Sequence, residues 1–149
     1  REQIRFPVVL EARTKRLNAS KDPSFSTTII TELTSLKTKP KYFRVHASGE
    51  FYSQDYISYW ELIAKEFPQI TFYTYTKRIN DFDFSRLAAL PNFVLINSLQ
   101  FNKLNYSKLE DAPKEAFICP SSKEVLCGEH CVYCMTKTAQ TNGVWFIKH

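Results

Sequence analysis

Three short runs rich in aromatic and β-branched residues, set apart by helix-length segments, constrain the fold more than any other feature. They cover residues 42–47, 70–76 and 93–97. Between the first two, Ser53 stands where a helix N-cap belongs, and Tyr56, Trp60, Ile63 and Phe67 recur at helical spacing with Ile57 and Ala64 beside them. Pro68 ends that helix, and Pro91 ends a shorter one around Ser85 to Leu90. Strand, helix, strand, helix, strand with short links predicts right-handed parallel crossovers. The third run, Phe93-Val94-Leu95-Ile96, is apolar throughout and predicts a strand covered on both faces. The expected fold class is therefore α/β: a parallel sheet resembling part of a β/α barrel, with helices outside.

The flanks are weaker. Pro7 fits a first helical turn, with Val8, Ala12 and Ala19 on the inner face and Arg13, Lys15 and Arg16 outside. Asp22-Pro23 predicts the N-cap and first turn of a second helix, with a buried stripe of Phe25, Ile29, Leu33 and Leu36, that stops before Pro40. Residues 100–115 read as a loop with a weak helical stretch. Phe117-Ile118 and Val144-Trp145-Phe146-Ile147 read as two further short strands. A chain of 149 residues without repeats or linkers suits one domain, 1–149, with 117–149 as a C-terminal subregion.

The only four cysteines, Cys119, Cys127, Cys131 and Cys134, fall within sixteen consecutive positions. Thiolates this crowded repel one another unless a cation holds them, and four sulfurs complete a zinc shell or ligate a cubane cluster. The expectation is a metal knuckle carrying a [4Fe–4S] cluster or Zn²⁺. Two short-loop disulfides and four unconnected thiols are the competing readings, and disulfide frameworks usually spread their cysteines along a chain. His130 is a weaker ligand candidate. The stretch from Cys127 to Cys134 has the three-then-two spacing of the cluster loop in radical S-adenosylmethionine enzymes, but only fifteen residues follow it, too few for the barrel that follows the loop in those enzymes.

Composition narrows the classes further. Gly numbers 3, no GxGxxG or Walker-type sequence occurs, and no apolar run approaches a membrane span. These features suggest a soluble protein of the cytoplasm, where reducing conditions favour metal over disulfides. The net charge is +5, and basic residues gather at Arg1, Arg5, Arg13, Lys15, Arg16, Lys21, Lys37, Lys39, Lys41 and Arg44. Attraction to nucleic-acid phosphate through the N-terminal helices is one reading; ordinary solvation of helix surfaces is the other. The chain begins at Arg1 without Met, which suggests a trimmed version of something longer.

Parallel α/β sheets bind ligands at the carboxyl ends of their strands. That edge would collect His46, Ser48, Gly49 and Glu50, then Thr76, Lys77 and Arg78, then Asn97, Ser98 and Gln100. His46 with Glu50 offers an acid–base pair, a carboxylate raising the imidazole towards neutrality, whereas a hydrogen-bonded interior histidine is the plainer alternative. Lys77 and Arg78 offer an anion grip or simple surface charge. The candidate catalytic set is His46, Ser48, Glu50 and Lys77.

Three segments carry a family resemblance. Arg44-Val45-His46-Ala47-Ser48-Gly49-Glu50-Phe51 is similar to a strand and turn reading R-[IV]-H-x-S-G-D-F, and Phe72-Tyr73-Thr74-Tyr75-Thr76-Lys77 to a second strand reading F-Y-x-Y-T-[KR]. Cys119-Pro120, the later cysteines, Val144-Trp145-Phe146 and His149 resemble a cysteine-rich tail ending in histidine. Together they resemble the phage gene product 88 family of uncharacterised phage and mobile-element proteins. The chain departs from it at Glu50, where the family usually has Asp, and in lacking the further upstream cysteines that members tend to carry. Two functional expectations follow. One is a metal-binding protein of mobile-element type, with or without a reaction at the polar strand ends, active in the host cytoplasm. The other is a zinc-stabilised module that binds nucleic acid or protein without catalysis.

Overall fold

The computed structural model describes residues 7–98, 117–120 and 131–144. Helix α1 spans Pro7–Ser20, α2 Phe25–Ser35, and strand β1 Tyr42–Arg44. Helix α3 spans Gln54–Glu66, β2 Thr71–Thr76, α4 Ser85–Ala89 and β3 Phe93–Asn97. A 3₁₀ turn at Tyr133–Met135 leads into α5, Lys137–Asn142.

The three strands lie in the order β1-β2-β3, and both pairings are parallel. Phe43 pairs with Phe72, and Phe72 with Phe93, which puts three aromatic rings in one row across the sheet. Beneath that row α3 packs Tyr56, Ile57, Trp60, Ile63 and Ala64, with Leu33 of α2 and Leu87 of α4 completing the first core. Ser53 caps α3 as its sequence predicts, its side chain accepting from the Tyr56 N–H at 3.2 Å. At the other end, Asn92 Nδ2 lies 2.9 to 3.1 Å from the carbonyls of Ala64, Phe67 and Ile70, so the turn before β3 ties down the C-terminus of α3.

Both faces of β3 are buried, as its apolar run implies. Phe93 and Leu95 belong to the first core, while Val94 and Ile96 meet Cys119, Ala139 and Val144 in a second core on the opposite face. β2 alternates: Phe72, Thr74 and Thr76 are buried towards α3, and Tyr73 and Tyr75 pack against the second core.

Sequence patterning is overruled at several places. The first strand is shorter than its aromatic run, ending at Arg44. α2 starts at Phe25, not Pro23, because Asp22 turns its carboxylate onto the N–H and hydroxyl of Ser24 at 2.8 and 2.7 Å and holds a turn there. Leu36 stays 45 % exposed instead of extending the buried stripe. α1 begins at Pro7 but has no buried apolar stripe: Val8 is 77 % exposed, and Ser20 alone is buried. Ile118 forms only an isolated bridge. α5 went unforeseen because Lys137-Thr-Ala-Gln-Thr-Asn has no apolar period. Residues 100–115 and 145–147 lie outside the described residues.

No further strand extends β3 among the described residues. Instead, the Phe93 carbonyl accepts from Lys137 Nζ at 2.6 Å and the Leu95 N–H donates to Gln140 Oε1 at 3.1 Å. Side chains of α5 thus occupy the backbone positions that a barrel neighbour would take. Among the described residues, no helix is long and apolar enough to cross a membrane.

Candidate functional site

The carboxyl ends of β1 and β2 bring His46, Glu50 and Thr76 together, with Gly49 making the turn at φ +104°. This backbone conformation disfavours a side chain, although a Cβ there would meet no atom within 4 Å. The turn lets Glu50 fold back. Its Oε1 accepts from the Phe51 N–H at 2.9 Å and from the Thr76 hydroxyl at 2.8 Å, and its Oε2 accepts from the Lys77 N–H at 2.8 Å. The Thr76 oxygen in turn accepts from the Arg78 N–H at 3.0 Å. Glu50 is therefore a clasp between the loop after β1 and the end of β2, with both carboxylate oxygens in use.

His46 is equally committed. Its Nδ1 lies 3.2 Å from Thr74 Oγ1 and its Nε2 3.2 Å from the Tyr56 hydroxyl, and its ring stands edge-on to Phe51 at 4.8 Å. The Thr74 hydroxyl leans on the Tyr75 carbonyl at 3.4 Å, which suits a neutral ring donating from Nδ1 and accepting at Nε2. Burial pulls the imidazole below its ordinary value; Glu50 acts the other way and Arg44 adds to the lowering. The expected upward push from a carboxylate exists, but desolvation outweighs it. His46 is thus the hydrogen-bonded interior histidine of the two readings.

Ser48 and Lys77 are exposed on the same edge, and it is the Lys77 backbone, not its ammonium, that meets Glu50. Arg78 is paired with Asp81 at 2.6 Å and covers the Phe82 ring at 5.4 Å. Sequence reasoning passed over Tyr56 and Thr74. The signal was present, because period-two alternation in β2 puts Thr74 and Thr76 on the same face as Phe72, and a hydroxyl buried there needs a partner.

The second candidate centre lies across the sheet. Cys119, 6 % exposed, sits in the second core, and Cys134 packs against the same cluster together with Tyr75, Phe117 and Tyr133. Phe117 and Tyr133 stack at 3.7 Å and bring the segments carrying the two cysteines side by side. The Tyr75 phenol is hydrogen-bonded to Cys134; burial first, then that bond and the nearby thiols, push its proton affinity far up. No disulfide joins Cys119, Cys131 and Cys134. Among the described residues no three Cys, His, Asp or Glu side chains come together as a metal-ligand group. Cys131 is half-buried, and Cys127, Glu129 and His130 lie outside the described residues. Two sulfurs of the quartet therefore converge on one cluster.

Fold and sites together define a small α/β protein: a three-stranded parallel sheet with a helical core on one face and a cysteine-bearing tail on the other. A family model described as Gene product 88 matches residues 1–117, and the chain belongs to that family. The match takes in both strand motifs and stops before the first cysteine. The chain is also similar to the Gene 88 protein of Mycobacterium phage D29, with 37 % identity over 41 residues, covering 28 % of this chain and 17 % of that protein. No solved structure matches.

Proposed function

We propose that this chain is a metal-binding protein of phage or mobile-element type, in which Cys119, Cys127, Cys131 and Cys134 hold an iron–sulfur cluster or Zn²⁺. The observation that carries this reading is the meeting of Cys119 and Cys134 on one patch of the sheet without a disulfide between them. Zinc or a cluster would supply the positive charge that lets further thiolates join them. Its setting would be the host cytoplasm, where the thiols stay reduced. The edge with His46, Ser48, Glu50 and Lys77 is a candidate substrate contact, with Ser48 and Lys77 accessible and His46 and Glu50 holding the loop in shape. Anaerobic purification followed by elemental analysis tests the reading. About one zinc or about four irons per chain supports it, with loss in Cys119→Ser and Cys134→Ser. A metal-free chain that reacts with four equivalents of thiol reagent sinks it.

A non-catalytic module that contacts nucleic acid is the second reading. It is favoured by α1, which holds Arg13, Lys15 and Arg16 on a helix that buries little else. The cleft between α1 and α2 is lined by Arg16 with Asp22 and Glu32, so its charge is mixed. Binding to single- or double-stranded nucleic acid that weakens steeply with salt would support the module, and no binding at low salt would remove it.

A further inference from the structure

Resting on the nucleic-acid reading above, we infer that the partner is single-stranded and that it docks on the sheet, not on α1. The surface is the face opposite the first core, at β1 and the adjoining side of β2, where Tyr42 stacks a base and Lys41 and Arg44 meet phosphates.

Strand alternation builds this face. Phe43 packs against the first core, so Tyr42 and Arg44 stand on the other side of β1, beside Tyr73 and Tyr75 of β2. The second core buries the same face at β3 through Val94 and Ile96, whereas Tyr42, Tyr73 and Tyr75 are half-buried and Lys41 and Arg44 exposed. Both cations lie over rings: Lys41 Nζ is 5.3 Å from the Tyr42 centroid, and the Arg44 guanidinium carbon is 5.6 Å from that of Tyr75. The Arg44 Nε–H also donates to the His46 carbonyl at 2.8 Å, which braces the side chain along the strand. Among the described residues neither cation is paired with a carboxylate. Lys39, by contrast, is occupied in capping α2 through the carbonyls of Thr34 and Leu36. Positive charge interleaved with aromatic rings matches a strand in which bases alternate with phosphates, and a duplex keeps its base faces inside its own stack. An exposed cation is held over a ring less tightly than a stacked base is, so a base displaces the cation towards a phosphate.

The test titrates the full chain into a fluorescein-labelled oligouridine and into a duplex of the same length, followed by anisotropy at rising salt. The single strand should bind several-fold more tightly. Tyr42→Leu keeps apolar bulk but removes the ring, and should weaken that binding about tenfold at an unchanged salt slope. Lys41→Gln with Arg44→Gln should instead make the slope of log affinity against log salt shallower by about 0.7 for each charge removed. If Tyr42→Leu does not fold, photocrosslinking of the wild-type chain to an iodouridine-substituted oligomer should map to the peptide that carries Tyr42. Equal affinity for the duplex, binding that Tyr42→Leu leaves intact, or a crosslink confined to α1 overturns the sheet face while the nucleic-acid reading stands. A chain that binds neither probe at low salt overturns both.

Discussion

Glu50, a catalytic candidate in the sequence, has both carboxylate oxygens engaged in the fold. Three donors converge on its carboxylate, one of them the hydroxyl of fully buried Thr76. Removing it leaves those donors without an acceptor. Glu50→Ala should therefore lower unfolding stability by about 1–3 kcal/mol in urea denaturation, and Glu50→Gln, which keeps one acceptor oxygen, by less. Gly49 belongs to the same turn, and Gly49→Ala should cost about 1–2 kcal/mol from backbone strain alone, since its Cβ would meet nothing. His46 adds a pH dependence whose sign follows from burial. Its folded-state pKa lies below the ordinary value, so on acidification the unfolded chain takes up the proton first. The stability is complete above about pH 6.5 and is lost as the pH falls from there through the folded-state pKa. Urea midpoints measured across that range should decline on the acid side, and His46→Gln should flatten the decline. A midpoint independent of pH in the wild type would contradict the interior reading.

At the scale of elements, the joints are polar and the layers apolar. Glu61 is buried on α3 and pairs with Lys65 at 2.5 Å and with Arg86 at 3.0 Å, which ties α4 to α3. α5 reaches the open side of β3 through Lys137, which also donates to the Ala88 carbonyl at 2.8 Å, and through Gln140. Cutting this joint should loosen β3 locally. Lys137→Met with Gln140→Leu should raise amide exchange at Leu95 by at least tenfold, on the order of the 1.4 kcal/mol expected from one or two lost hydrogen bonds. Exchange at Phe72, on the strand inside the sheet, should change far less. Helix α1 presents the opposite case: with Val8 and Leu10 exposed, substitutions at those two positions should leave the midpoint nearly unchanged.

For the whole molecule, two cores share one sheet. The first, around Trp60, Phe72 and Phe93, packs the helices under the sheet, whereas the second joins β3 to the tail. If the cysteines hold a metal, chelation should free the tail and spare the first core. Trp60 fluorescence should persist while the circular dichroism from the stacked Phe117 and Tyr133 collapses. Simultaneous loss of both signals would show that the two cores are one cooperative unit.

Residue order alone determined the central alternation. Parallel strands at 71–76 and 93–97, the Ser53 cap and the buried face of α3 could all be read from local periodicity, because an element that must bury one face writes its period into its own residues. The motifs at 44–53 and 72–77 were legible only through their resemblance to the family that the chain belongs to. Only tertiary structure decided what the polar residues do. Whether His46 and Glu50 face solvent or serve as hydrogen-bond partners inside depends on Thr74, Tyr56 and Thr76 arriving from other elements. The docking of α5 on β3, and the meeting of Tyr75 with Cys134, likewise join residues far apart in the chain. Periodicity records which side of an element faces inward; it carries no information about which polar group will be waiting there.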